Sequence, residues 1–225
     1  MLEATWSDVK FAVRLLRRNR RNTVLAVLIL GVGIGATTAL FSAINYVLIR
    51  PLPFRDSGRI VRLRDAVVAA DGQVHPYNMR SRSVLAVREG APVFDAMVAF
   101  SGDNMTLSGG DVPERLSVVF QTEGNDETLG VRPSFGRGFS REEERRGVES
   151  GVVLISDRFW HSHFGGLPSA IGQVLRLDDR TFTVIGVMPP QYAFPYDADV
   201  WAPIALDPSD AGRDFAVFAH VRSTA

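Results

Sequence analysis

Gly31, Gly33 and Ala36 follow the apolar run Leu25 to Leu30 in the spacing G-x-G-x-x-A. Behind a buried strand, such glycines let a helix N-terminus approach a dinucleotide pyrophosphate. The fingerprint also needs an acidic residue about 20 positions on. Here that place holds Arg50-Pro51-Leu52-Pro53, Asp56 comes later, and a block of arginines precedes the supposed strand. His161 and His163 lie beside Trp160. Two residues apart on a helix, they point to different faces, and the neighbouring sequence offers neither an acidic partner nor another histidine. They read as an ordinary surface pair rather than as metal ligands. His75 and His220 stand alone, and the carboxylates Glu142, Glu143, Glu144, Asp178 and Asp179 fall in loop- or turn-like sequence. No G-x-S-x-G elbow is present. The absence of cysteine excludes thiol catalysis, cysteine zinc sites and iron–sulfur clusters. Lys10 is the only lysine, so no G-x-x-x-x-G-K-[ST] phosphate loop exists. No catalytic constellation emerges, and the expectation is a protein that is not an enzyme and takes no cofactor or metal.

The same glycines have a simpler use in the element that contains them. Thr23 to Ile49 is a run of 27 residues without charge or proline. An apolar helix needs about 20 residues to cross a bilayer. This one would extend roughly 40 Å at 1.5 Å per residue, enough to tilt or protrude. It is too long for a signal-peptide core, and no small-x-small cleavage site follows it. Gly31, Gly35, Ala39 and Ala43 recur every fourth residue, which draws one ridge of small side chains along the helix. Such ridges let membrane helices approach closely. The alternative is that glycine is simply frequent in such helices.

Charge is balanced over the 225 residues but unevenly placed. Lys10, Arg14, Arg17, Arg18, Arg20 and Arg21 against Glu3 and Asp8 leave +4 before Asn22, and the remainder carries −4. A basic block beside a span marks the cytoplasmic end, which places the N-terminus inside. Arginines just past the span do not veto this, because long domains translocate largely regardless of charge. Ser7 to Arg20 reads as an amphipathic basic helix in the headgroup plane, with Arg14, Arg17, Arg18, Arg20 and Arg21 facing the membrane surface. It serves either as a topology anchor or as a docking surface. The acidic remainder carries no nucleic-acid-binding motif, so nucleic acid is not an expected partner.

Beyond the span, Pro51 and Pro53 stop the helix. The pattern predicts a strand over Ile60 to Arg64, a turn at Asp71-Gly72, and helices over Ser83 to Arg88 and Pro92 to Phe100. A half-buried strand is expected over Arg115 to Gln121, a short helix over Asn125 to Leu129, and a solvated loop over Pro133 to Arg146. A strand over Val152 to Ile155 should lead, through a cap at Ser156 or Asp157, into a helix ending at Phe164. Val174 to Leu177 and Phe182 to Val187 should form a hairpin, Trp201 to Ile204 an apolar patch, and Phe215 to Val221 a last strand.

The order of these stretches resembles MacB/FtsX-type ABC transporter permeases, and within them the acidobacterial-type duplicated orphan branch. The resemblance is carried by DVKFAVRLLRRNRRNTVLAVLILGVGIGATTALFSAINYVLIRPLPF, RIVRLRD, PERLSVVFQTEGNDETLGVRPSFGRGF, VVLISDRFWHSHFGG, IGQVLRLDDRTFTVIGVMPPQYAFP and DVWAPI. It departs from the pattern at Asp178-Asp179, where such hairpins often carry Asn-Gly or Asp-Gly, and at the interruption Gly90-Ala91-Pro92. Such permeases also continue into further spans, so the chain is expected to be a fragment of a longer one.

The resemblance implies an α+β fold: one N-terminal transmembrane helix followed by a periplasmic α+β core domain with a mostly-β inserted subdomain. The expected divisions are 1–21 (cytoplasmic or interfacial basic helix), 22–49 (span) and 50–225 (core domain), with the β-rich subdomain at 151–204. It implies a single-pass bacterial inner-membrane chain with its N-terminus cytoplasmic and its main domain periplasmic. Expected partners are the lipid bilayer, other permease helices or a second copy, and a separate ATP-binding subunit. In function it implies a non-enzymatic permease subunit that couples membrane-helix motion to export or mechanotransmission. A membrane-tethered periplasmic interaction module without transport is the alternative, and a soluble nucleotide-binding enzyme using Gly31, Gly33 and Ala36 is the third reading. Without a phosphate loop, the purified chain should show neither ATPase activity nor saturable ATP or NAD binding in calorimetry. Micromolar binding of either, lost in Gly33→Leu, would restore the dinucleotide reading.

Overall fold

The computed structural model describes residues 17–44, 54, 56–109, 112–190 and 192–222. The chain divides into two compact units, Met1–Leu52 and Pro53–Ala225.

In the first unit, helix α1 runs continuously over Arg20–Ile44. Leu25 to Leu30 is therefore helical, and Gly31, Gly33 and Ala36 lie inside the helix, so the strand and turn of a dinucleotide site are missing. Thr37 Oγ1 donates to the Gly33 carbonyl at 2.8 Å, and Thr23 Oγ1 to Asn19 O at 3.1 Å. Each hydroxyl is thereby satisfied within its own helix, as an apolar surrounding demands. The expected helix before Arg17 and the end of the span at Asn45 to Ile49 lie outside the described residues.

The second unit is built on one sheet whose centre is β5 (Phe94–Ser108). Its first half pairs antiparallel with β12 (Asp214–Val221), which pairs in turn with β1 (Ile60–Leu63) and β4 (Met79–Arg80). Along its other edge β5 pairs with β6 (Glu114–Gln121). The order then runs β6, β11 (Val200–Pro203), β8 (Val152–Ile155), β10 (Arg180–Val187). Strand β9 (Val174–Leu177) pairs with β10 and also with the far end of β5, through Leu107↔Leu177 and Ser108↔Arg176. The strands β5, β6, β11, β8, β10 and β9 thus close on themselves in a ring, and closure removes the exposed edges of a sheet. Residues 151–204, expected as a β-rich subdomain, supply β8 to β11 of this ring, so their strands share one sheet with β5 and β6.

The strand period explains how the cores separate. On β6, Leu116, Val118 and Phe120 join Val153, Ile155, Leu177, Phe182 and Val184 in one buried cluster, while Val119 points to another with Leu154, Ile185, Met188 and Trp201. Successive residues of a strand face opposite sides, so the ring is packed within and without. On β5, Val98 and Phe100 enter the second cluster. Met97 and Ala99 enter a third, with Phe215, Val217 and Val84. Val84 sits on helix α2 (Ser81–Gly90), which covers that face. Full burial of each such side chain contributes roughly 1.5–3 kcal/mol.

Several expectations change here. Pro92 to Phe100 is not a helix: Pro92 and Val93 form a turn, and Phe94 to Phe100 begin β5. The loop over Pro133 to Arg146 contains β7 (Phe135–Gly136) and helix α4 (Arg141–Arg146). Ser140 caps α4 through its hydroxyl, which accepts from Glu143 N at 3.2 Å, while Glu143 Oε2 accepts from Ser140 N at 2.8 Å. This capping box satisfies two otherwise orphaned donors. The Glu143 carboxylate also receives both terminal nitrogens of Arg137 at 2.8 Å, and this pairing holds its pKa down at about 2. Gly136 and Gly186 pair across β7 and β10. A Cβ on Gly186 would stand 2.4 Å from the Arg137 carbonyl, and one on Gly136 2.4 Å from that of Ile185, so no larger residue fits either place.

The hairpin of β9 and β10 turns at Asp178-Asp179, with Asp178 in the left-handed region at φ 50°. This departure from the usual glycine has a use. Asp178 Oδ1 accepts from Thr106 N at 2.8 Å, and Asp178 N donates to Thr106 O at 2.8 Å. The turn therefore extends the β9–β5 ladder and helps to shut the ring. Helix α3 (Asn125–Leu129) follows β6, and helix α5 (Asp157–Phe164) follows β8 with Ser156 as its cap, its hydroxyl accepting from Phe159 N at 3.1 Å. The remaining strands, β2 (Asp65–Val68) and β3 (Val74–Tyr77), form a separate hairpin, mostly exposed.

Candidate functional site

Helix α1 has the length and composition of a membrane span. Arg20–Thr38 has a mean hydropathy of 1.4, and none of that window is buried by the chain itself. Val24, Leu25, Val27, Leu28, Ile29, Leu30, Val32 and Ile34 are each more than half exposed. In water such a surface would be a large apolar liability. In hydrocarbon it is at home. Gly31 and Gly35 lie on this exposed surface, and a Cβ added to either would meet nothing within 4 Å. Ala39 and Ala43 continue the same i, i+4 row of the helical backbone. Arg17, Arg18, Arg20 and Arg21 are exposed at its start, and Arg14 lies outside the described residues.

Among the described residues three histidines stand by carboxylates that sequence reading missed: His161 Nε2 lies 3.9 Å from Asp157 Oδ1, four residues back on α5, and two further pairs join residues distant in sequence. His163 Nε2 lies 2.8 Å from Glu114 Oε2, and its ring stacks on Phe159 at 3.9 Å. His220 Nδ1 lies 2.8 Å from Asp95 Oδ1. The partners stand 49 and 125 residues away in sequence, so no local pattern could reveal them. Asp95 also stands 3.9 Å from Arg59, whose guanidinium donates to the carbonyl of Val221. Arg59, Asp95 and His220 thus clasp the start of β1, the start of β5 and the end of β12. Partial burial would raise the Asp95 pKa, but the hydrogen bond and charge of His220, with the charge of Arg59, hold it below its ordinary 3.8.

A second polar group surrounds the short helices. Glu123, Asp126 and Glu127 precede or lie on α3, and Glu144 lies on α4. Burial, then repulsion from Glu123, Glu127 and Asp126, push the Glu144 carboxyl up to about 7. Arg88 pairs with Glu123 at 3.2 Å and Arg132 with Asp126 at 3.8 Å. Among the described residues no three His, Cys, Asp or Glu side chains converge as metal ligands. No nucleophile–base–orienter arrangement presents itself in these polar groups.

An uncovered helix of membrane length, joined to a sheet closed into a ring, defines a membrane-anchored protein carrying an α+β domain. The chain belongs to the MacB-like periplasmic core domain family of ABC-type permeases, whose pattern it matches over residues 23–224. Comparison with curated proteins gives no match. Among solved structures, a domain of a candidate permease from Porphyromonas gingivalis superposes with a TM-score of 0.57 at 18% identity, covering 77% of each chain. The periplasmic region of MacB from Actinobacillus actinomycetemcomitans superposes with a TM-score of 0.53 at 12% identity, covering 74% of this chain and 76% of that one. At these identities the likeness is one of fold.

The clasp yields a prediction. Asp95→Asn should lower stability at neutral pH by less than about 1 kcal/mol, the range of exposed ion pairs. A carboxyl with a lowered native pKa contributes stability above its unfolded pKa and loses it as pH falls. Urea titrations of the full chain in detergent should therefore show a shallower acid loss below about pH 4 in the variant. Identical acid profiles would remove the clasp from the energetics of the fold.

Proposed function

We propose that this chain is a non-enzymatic membrane segment of an ABC-type permease, whose periplasmic core domain couples movement of membrane helices to export or mechanotransmission. One observation carries the reading: a helix of membrane length that its own chain leaves wholly uncovered precedes a domain of this family. The divisions are 1–21 for the basic segment, 22–49 for the span and 50–225 for the core domain. Placement within the duplicated orphan branch rests on the run of motifs shared with it.

The span lies in the bacterial inner membrane, with Arg14, Arg17, Arg18, Arg20 and Arg21 on the cytoplasmic surface and the domain in the periplasm. Positive charge beside one end of the helix supports this orientation. The chain contains no cysteine, so single thiols report it cleanly. Gln73→Cys, in the exposed link between β2 and β3, should react with a membrane-impermeant maleimide in intact spheroplasts. Arg17→Cys should react only after lysis. The opposite labelling pattern would reverse the assignment.

Gly31, Gly35, Ala39 and Ala43 form the face on which α1 meets another permease helix or a second copy. Lipid is as apolar as leucine, so association in the membrane comes from close packing rather than from hydrophobic burial. Energy for movement comes from a separate ATP-binding subunit. Gly35→Leu should weaken self-association of the span in a bacterial two-hybrid assay several-fold, and Leu30→Phe, on the opposite face of the helix, should leave it intact. A Cβ added at position 35 meets nothing within 4 Å among the described residues, so a loss of association reports the partner. Equal signals from both variants would reduce the span to an anchor.

A further inference from the structure

Beyond the permease reading, one recess in the folded unit has the chemistry of a binding site. It measures about 80 Å³ and lies between the end of β6, α3 and α4. Gln121 and Asn125 are buried, at 2% and 5% exposure, Glu144 is half-buried, and Asp126, Glu127 and Arg141 are exposed. Glu127, Arg141 and Glu144 also line a wider adjoining cleft of about 400 Å³. A narrow, deep place therefore opens into a broader groove.

Gln121 sets the polarity of the recess. It lies two residues beyond Val119 on β6 and so faces the same side as Leu154 and Met188, which also line the recess. Its Oε1 is buried and receives no hydrogen bond among the described residues. A buried acceptor left unpaired costs about 1–3 kcal/mol, so a donor brought there is favoured. Asn125 lacks that unmet demand, since its Oδ1 already accepts from the Tyr192 hydroxyl at 3.2 Å.

The surrounding charge selects the donor. Arg88 and Arg132 are engaged by Glu123 and Asp126. Among the described residues neither Glu127 nor Glu144 has an ion-pair partner within 4 Å. Burial first, and then the same excess of carboxylates, raises the Glu144 pKa, against which Arg141 acts as the smallest of the contributing charges. An anion would meet three acidic side chains here. A metal ion would find no three ligands converging among the described residues. An organic cation suits all of it: N–H donors for Gln121, positive charge for the glutamates, and carbon for Val131, Phe139 and Met188.

We propose that this recess binds a guanidinium or primary ammonium group, Gln121 Oε1 accepting a hydrogen bond at its base and Glu144 and Glu127 neutralising the charge above. The cation is borne either by a polypeptide side chain lying in the cleft or by a free small molecule. The full chain in detergent is titrated calorimetrically with butylguanidinium chloride and with its neutral isostere butylurea. Saturable millimolar binding of the cation is expected, with the urea at least tenfold weaker. Glu144→Gln, a half-exposed and isosteric change, should weaken the cation about tenfold, and Glu149→Gln, outside the recess, should not. Gln121→Met should weaken it similarly, with circular dichroism confirming the fold. A capped Ala-Arg-Ala peptide binding tenfold more tightly than butylguanidinium identifies a polypeptide source, and equal affinity a small molecule. Absence of binding, equal binding of the urea, or an unchanged Glu144→Gln would overturn the site and leave the recess to water alone. None of these outcomes bears on membrane orientation or helix packing, so the permease reading stands or falls separately.

Discussion

The backbone hydrogen bonding of β5 is the constraint on which the folded unit depends. At 15 residues it is long enough to belong to two assemblies at once. Its first half sits beside β12 in an open sheet, and its last residues meet β9 to close the ring. Strand β6 accompanies it from Phe100 to Leu107, so most of the shared length is paired along one edge throughout. The side chains follow the same division. Val98 and Phe100 serve one core, Met97 and Ala99 another, and Met105 the interior of the ring. Among the described residues no other strand contributes to all three clusters.

That double duty is also why sequence reading failed at this element. Period-two alternation marks a strand only when one face is wet. Here Met97, Val98, Ala99 and Phe100 are all buried, so the run is apolar at every position and reads equally well as a helix. Ring closure was illegible for a related reason: Asp178 meets Thr106 across 72 residues, and only the unusual Asp-Asp turn hinted that something other than turn geometry was being served. Where one local rule sufficed, the reading held. The hairpin at 174–187, the strand at 152–155 and the helix capped by Ser156 all lie where their apolar patterns put them. The box Ser140-x-x-Glu143 was equally local, yet the charge of the run REEERR hid it.

The candidate site divides in the same way. The membrane helix could be read directly, because an unbroken apolar run is a one-dimensional signal. The polar features of the domain could not. His163 finds Glu114, His220 finds Asp95, and Gln121 comes to stand near Glu144, only because elements separated in sequence are neighbours in the fold. Family membership joins the two parts, since the matched region runs from inside the helix to the end of the last strand.

The clasp at Arg59, Asp95 and His220 has a mechanical consequence. Ile60, at the start of β1, is paired with His220, near the end of β12, so the strands that open and close the folded unit run side by side. Tension applied between those two points would load the ladder one rung at a time, as a zipper is loaded, instead of shearing all rungs together. Such a geometry yields at low force and re-forms readily. The ionic clasp stands at the rung that would open first, where it acts as a latch on the peeling of the sheet.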